Sequence, residues 1–234
     1  MRHKSRAGAR RRLFFNPFMR SADEDFTESP AVQGLLMTLY FTVITIGAGM
    51  LIGLFIGLIQ LSTFKPLVIL GQIYVEFFRN IPLLVTLLWV YYAFPIFAGI
   101  NVTKFWAGFI GLSCYVGSFY AEILRAGVQS VDPGQTDAAT AIGMSYGQRM
   151  RRIILPQAFR KMIPPLAGQS IIQMKNTTLL SMITVPDLLY QASYISSFTY
   201  RPMEVYTAVG VIFLIILVPL TLLSRKLEKS GSLK

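Results

Sequence analysis

The sequence predicts an all-α integral membrane protein with five transmembrane helices. Of its 234 residues, 53% are apolar and only 14% are charged, and the mean hydropathy is +0.54. A soluble domain usually carries about 25% charged residues. Uncharged runs that approach the roughly 20 apolar residues of a spanning helix recur along the chain. The apolar content excludes a disordered chain, and a single cysteine, Cys114, excludes a disulfide scaffold.

The first predicted span covers residues 32–62, inside a run without charged residues that extends from 29 to 64. Gly49, Gly53 and Gly57 recur every four residues in this span, so they share one helix face. Small residues on one face let another helix approach closely. We therefore expect this face to pack against a helix of the same subunit or across a dimer.

The second and third predicted spans cover residues 68–95 and 104–127. Aromatic residues end the second span and begin the third, and such residues are typical of the membrane–water interface. This pattern indicates the outer face of the membrane, with chance aromatic content as the alternative. The residues concerned are Trp89, Tyr91, Tyr92, Phe94, Phe105 and Trp106.

The fourth and fifth predicted spans cover residues 160–185 and 204–225. The stretch of residues 125–161, before the fourth span, carries six basic residues against two acidic ones. Such a bias indicates the cytoplasmic side, and the basic C-terminal tail, residues 229–234, is assigned to the same side. Counting spans backwards from this stretch then predicts an N-terminus outside the cytoplasm.

The N-terminal extension, residues 1–30, is strongly basic, which conflicts with that outside position. Most of its arginines lie farther from the first span than the roughly 15–20 residues over which basic residues set orientation. Phe14, Phe15 and Phe18 among them indicate an interfacial anchor. A plain solvated tail is the alternative.

A pair of short helices is predicted within residues 128–158. Asp132 followed by proline is typical of a helix start, and Gly143 offers a stop with positive φ. Ser145 and Gln148 have the spacing of a capping box at the start of the second helix. The small and apolar residues of this stretch, without the glycine and serine richness of a linker, favour helices over a solvated loop.

Seven residues of this stretch also have a characteristic order and spacing: Asp137, Ala138, Ala139, Gly143, Ile153, Leu155 and Pro156. Together they resemble the EAA loop of the membrane subunits, or permeases, of bacterial ABC importers. Asp137 stands where that family usually has glutamate. It keeps the charge on a shorter arm, so the ion pair expected there is altered.

Three further segments narrow the resemblance to permeases for polar amino acids. Residues 76–85 resemble the second-span motif of these permeases, residues 121–127 their approach to the EAA loop, and residues 175–179 their fourth-span motif. The matches extend over about residues 31–228, which make up the predicted permease domain. This subgroup handles histidine, glutamate, glutamine, arginine and opines.

The resemblance implies a type I ABC importer permease in the bacterial inner membrane. It would form the pathway for polar or charged amino acids with a second permease subunit, identical or related. Two ATPase subunits would each receive an EAA loop, and an extracytoplasmic binding protein would deliver the substrate. The chain lacks a phosphate-binding Gly-Lys-Ser/Thr loop, so ATP and Mg belong on the ATPase. We expect membrane lipids as further partners, and no nucleic acid, cofactor or catalytic residue in this chain.

Ionisable residues inside spans are costly in lipid and usually pair or face a cavity. The residues predicted to line the pathway are Glu76, Arg79, Asn80, Glu122, Lys175, Asn176 and Thr177. Their spacing also allows structural ion pairs, Glu76 with Arg79 and, more strongly favoured, Glu122 with Arg125. Lys175 has no acid within one helical turn of its own helix. Its partner is therefore a substrate carboxylate, the dimer mate, a residue of another span such as Glu76, or a backbone carbonyl.

Two other classes of protein remain alternatives at this point. A stand-alone channel or secondary transporter also has spans and buried charges, but five spans without an internal repeat are unusual for it. An intramembrane enzyme is disfavoured because Cys114 has no histidine nearby in the chain, which makes core packing its expected role. Cysteine and histidine are also too few for a metal site.

Overall fold

The computed structural model describes the backbone of residues 29–231 and the side chains of residues 29–226. The predicted anchor at Phe14, Phe15 and Phe18 lies outside the described residues. The helices are α1 (Pro30–Gln60), α2 (Lys65–Asn80), α3 (Leu83–Ala98), α4 (Lys104–Gln129), α5 (Pro133–Ala141), α6 (Tyr146–Arg149), α7 (Leu155–Asn176), α8 (Leu188–Thr199) and α9 (Pro202–Gly231). A π-helical turn lies within α3, a second joins α6 to α7, and a 3-10 helix, Thr177–Ile183, continues α7.

Helices α1 and α4 pack along the face that carries the three glycines. A Cβ atom on Gly53 would lie 2.5 Å from Cβ of Tyr120, and one on Gly49 would overlap a methyl group of Val116. Both glycines are therefore required by close contact. The expected helix packing is confirmed, and it occurs within the subunit.

Three described helices are long and apolar enough to cross a membrane: α1, α4 and α9, the last counted to Lys226. The predicted second span is divided between α2 and α3, whose directions differ by 103°. Ile81 is extended, with ψ at 131°, because a residue before proline avoids the helical region. Pro82 then precedes α3, so one straight helix over residues 68–95 does not form.

The predicted fourth span is also composite. Helix α7 begins at Leu155, five residues before the predicted start, and the 3-10 helix covers the final turns of the predicted span. Pro164 and Pro165 lie inside α7 without ending it. Helix α8 then lies between this unit and α9, and Asp187 caps its first turn by accepting a hydrogen bond from the backbone N–H of Tyr190 at 2.8 Å.

The short helices α5 and α6 form where the sequence predicts them. The Asp132 carboxylate accepts from the backbone N–H of Gly134 at 2.7 Å, and Gly143 ends the first helix at a φ of 75°. Ser145 and Gln148 make both hydrogen bonds of the capping box. The two predicted helix starts are thus confirmed, but the second helix runs through the π-helical turn Met150–Ile154 into α7 and is not a separate short helix. Contact of this region with an ATPase stays a prediction.

Candidate functional site

A polar cavity of about 280 Å³ lies where α1, α2 and α4 meet. It is lined by Gln60, Gln72, Val75, Glu76, Glu122 and Arg125. The sequence predicted two of these residues, Glu76 and Glu122, as pathway residues. The two glutamines were missed, because neutral amides in or beside apolar runs carry no charge signal.

The cavity exists because α2 packs against the C-terminal end of α1. Gln60 is the last residue of α1, and Gly71 of α2 lies so close that a Cβ atom there would be 2.9 Å from Cγ of Gln60. One turn further along α2, Val75 is buried, and Glu76 lines the cavity together with Glu122 and Arg125 of α4. The hydroxyl of Tyr74 donates to the backbone oxygen of Cys114 at 2.7 Å, which holds α2 against α4.

Glu122 and Arg125 form a two-point ion pair on α4. Nη2 of Arg125 lies 2.5 Å from one carboxylate oxygen of Glu122, and Nε lies 3.0 Å from the other. Nη1 of Arg125 also donates to the side chain of Gln129 at 2.7 Å. The favoured structural pairing of Glu122 with Arg125 is therefore confirmed, and both groups remain on the cavity wall.

Glu76 and Arg79 do not pair with each other among the described side chains. Asn80, one turn beyond Glu76, donates to its carboxylate at 2.7 Å and to its backbone oxygen at 2.8 Å. The guanidinium of Arg79 lies over the Phe119 ring of α4, 5.4 Å from its centre. Glu76 thus has Asn80 as its partner and Arg79 has Phe119, in place of the ion pair that their spacing allowed.

The remaining predicted pathway residues lie elsewhere, where α7 passes into the 3-10 helix. Lys175 is exposed and forms no ion pair among the described residues, so the suggested tie to Glu76 is not formed. Asn176 is half-buried, and Thr177 is fully buried and donates to the backbone oxygen of Met174 at 2.7 Å. The predicted pathway residues therefore occupy two separate regions of the chain.

The seven residues with EAA spacing divide between surface and core. Asp137, Ala138, Gly143, Leu155 and Pro156 are exposed, Ile153 is half-buried, and Ala139 is 1% exposed. Ala139 is therefore on the buried side of α5, whereas the residues on either side of it, Ala138 and Thr140, are exposed. The adjacent Ile142 is 76% exposed, a large apolar side chain without cover in the isolated subunit.

One side chain links the two short helices. Nη1 of Arg149 donates to the hydroxyl of Thr140 at 2.6 Å, and its guanidinium lies 5.6 Å from the centre of the Tyr146 ring. At the start of α7, Nζ of Lys161 donates to the backbone oxygen of Ser130 at 2.6 Å. The first bond joins α5 to α6, and the second joins the end of α4 to α7.

A protein family described as the binding-protein-dependent transport system inner membrane component matches residues 49–230. The chain belongs to this family. As a member it is an ABC transporter permease, a transport subunit embedded in the membrane by several apolar helices. The predicted resemblance to amino acid permeases is confirmed by curated relatives and by solved structures.

Three relatives are similar to this permease over most of their length. The probable glutamine ABC transporter permease protein GlnM of Bacillus subtilis (strain 168) is 40% identical over 203 residues, covering 85% of this chain and 94% of that protein. The arginine transport system permease protein ArtQ of the same strain is 31% identical over 198 residues, covering 85% and 90%. The glutamate/aspartate import permease protein GltK of Escherichia coli O157:H7 is 35% identical over 205 residues, covering 85% and 92%.

Two solved structures share the fold. A crystal structure of an amino acid ABC transporter with histidines superimposes with a TM-score of 0.82 at 37% identity, covering 86% of this chain and 94% of that chain. An inward-facing MetNI methionine ABC transporter gives 0.70 at 19% identity, covering 86% and 95%, and this likeness concerns the fold alone. The predicted ABC importer permease fold is confirmed, and the number of five spans stays a prediction.

Proposed function

We propose that this permease forms, with a second permease subunit, the pathway by which an ABC importer moves polar or charged amino acids across the bacterial inner membrane. The observation that carries the proposal is the TM-score of 0.82 to an amino acid ABC transporter over 86% of the chain. Relatives named for glutamine, arginine and glutamate/aspartate support the substrate class. The amino acids in these names differ in charge, so the proposal covers polar amino acids that are neutral, cationic or anionic.

The five proposed spans are α1, the bent α2–α3 pair, α4, α7 with its 3-10 helix, and α9. This arrangement has α5 and α6 in the cytoplasm together with the C-terminal end of α9, where Arg225 and Lys226 are exposed. The basic residues of the stretch 125–161 support the same side. The N-terminal end of α1 then lies on the outer side.

Coupling to ATP hydrolysis is assigned to α5 and α6. The exposed surface around Asp137, Ala138 and Ile142 would insert into a groove of a partner ATPase, which holds ATP and Mg. Gly143 makes the sharp turn between the two helices at positive φ. Closure of the ATPases would move this helix pair together with α7, a rigid-body transition of a known kind.

The second permease subunit is expected to cover charges that are exposed within the proposed spans. Glu76, Arg79 and Lys175 are all exposed on the isolated chain although they lie within the proposed spans. Charged side chains are costly in lipid and are found in bundle interiors or water-filled cavities. A partner subunit and a hydrated pathway would together keep these charges from lipid.

Reconstitution of the permease in proteoliposomes, with its ATPase and binding protein, tests this function. We expect uptake of radiolabelled glutamine, arginine or glutamate that requires all three components and ATP. Vesicles with the permease alone, and vesicles without ATP, are the controls. Uptake by the permease alone without ATP would instead support a stand-alone channel or secondary transporter.

A further inference from the structure

The cavity between α1, α2 and α4 contains an acceptor without a donor. Gln60 is 7% exposed, and its side-chain oxygen Oε1 has no hydrogen-bond partner among the described residues. A buried polar atom without a partner costs free energy, so native structures nearly always supply one. Gln60 lines the cavity, so a molecule that occupies the cavity can supply the missing donor.

The opposite charges of the cavity wall are not balanced. Glu122 and Arg125 neutralise each other through their two-point ion pair. Glu76, in contrast, has only the neutral amide of Asn80 as a donor to its carboxylate and no ion pair among the described side chains. The cavity therefore presents one carboxylate that is in no ion pair among the described side chains, beside an unused amide oxygen, and both groups accept hydrogen bonds.

The size and accessibility of the cavity fit a small molecule. Its volume of about 280 Å³ is near the lower end of ligand pockets, which range over about 300–1,000 Å³. Gln72 and Glu76 line the cavity and are exposed, so the cavity opens to the surface of the isolated chain. The Glu122–Arg125 ion pair also lines the cavity, where its charged groups can contact the other polar groups of a zwitterionic amino acid.

We propose that this cavity binds the cationic nitrogen group of an amino acid, ammonium or guanidinium, between the Glu76 carboxylate and the Gln60 side-chain oxygen. The cation donates to both acceptors and balances the charge of Glu76. Two sources share this chemistry: the α-ammonium of any amino acid, and the side chain of a basic one. The inference rests on the proposed transport function and adds the part of the substrate that this site recognises.

Equilibrium binding to the purified permease–ATPase complex in lipid nanodiscs tests the site, without binding protein or ATP. The probes are radiolabelled arginine, glutamine and glutamate, and the variants are Glu76→Gln and Gln60→Met. Each variant is expected to weaken binding about tenfold, since a hydrogen bond to a charged group is lost. Glu204→Gln is the matched control, because this glutamate pairs with Arg201 outside the cavity and its loss should leave binding unchanged.

The competitors distinguish the two sources of the cation. If the α-ammonium occupies the cavity, both variants weaken binding of all three amino acids, and N-acetyl derivatives do not compete. If a side chain occupies it, only arginine binding weakens, and N-acetylarginine still competes. Either result supports the cation site.

Folding is checked separately, because a misfolded variant would also lose binding. Gln60→Met replaces an unpaired buried amide with an apolar side chain of similar length, so its melting temperature should equal or exceed that of the wild type. Unchanged affinity in both variants, or no binding of the three amino acids by the wild type, would overturn the inference. ATP-driven uptake in proteoliposomes is measured independently, so failure here leaves the proposed transport function standing.

Discussion

The α1–α4 contact and the α5–α6 pair use glycine for opposite reasons. In the α1–α4 contact, Gly53 is buried and the neighbouring helix leaves no room for a side chain. At the α5–α6 turn, Gly143 is exposed with no atom within 4 Å of an added Cβ, and only its φ of 75° favours glycine. The first region stabilises the subunit itself, while the second is the surface that we propose docks on an ATPase.

The largest expected effect concerns the turn between α5 and α6. Gly143→Asp places a charged side chain at positive φ on the proposed ATPase-docking surface, so ATP-driven uptake should be abolished. The permease should still be inserted, because no neighbouring atom is displaced. Uptake and co-purification of the ATPase measure the effect. Gly99→Asp is the matched control, because Gly99 has a φ of 64° and equally open space but lies outside the α5–α6 pair. Normal uptake and ATPase association in Gly143→Asp would remove the docking role.

The next effect concerns the α1–α4 contact. Gly53→Ala forces a methyl group into space already occupied by Tyr120, and overpacking of this kind costs about 1–3 kcal/mol. The melting temperature of the purified permease should fall. Gly47→Ala on the same helix has open space and should be neutral or slightly stabilising. Equal melting temperatures for both variants would show that this contact does not limit stability.

A smaller effect is expected at Lys175, which is exposed within a proposed span. Lys175→Met should reduce the rate of uptake without lowering the melting temperature or the amount of ATPase that co-purifies, because the lysine has no ion pair among the described residues. Unchanged uptake kinetics would exclude Lys175 from the pathway. A large fall in melting temperature would instead indicate a structural role.

The smallest effect is a pH dependence from Asp187, which lies between the 3-10 helix and α8. Burial raises its pKa from 3.8 to about 7, and one carboxylate oxygen has no hydrogen-bond partner in the described part of the chain. Between these two pKa values the folded state keeps a proton that the unfolded state releases. The contribution of Asp187 to the free energy of unfolding is therefore fully present below pH 3.8 and is lost as the pH rises through about 7. Asp187→Asn keeps a helix cap without the charge. Its melting temperature should change less between pH 5 and pH 8 than that of the wild type, and identical slopes would contradict the assignment.

Local features were predictable wherever a few neighbouring residues decide the structure. Asp132 and the Ser145–Gln148 capping box start helices because their side chains satisfy the first free backbone N–H groups. Glu122 and Arg125 pair because one helical turn brings them together. The same rule failed for Glu76 and Arg79, since Asn80 is a closer donor and Phe119 belongs to another helix.

The sequence by itself determined that this protein is a helical membrane protein of the permease family, because apolar runs, caps and motif spacing depend only on nearby residues. Only the tertiary structure decided which polar groups share a cavity. Gln60 and Gln72 are unremarkable in the sequence, and they meet Glu76 and Glu122 because α2 crosses the end of α1 beside α4. The cost of an unpaired buried atom depends on its surroundings in three dimensions, so the sequence alone did not reveal the open acceptor at Gln60.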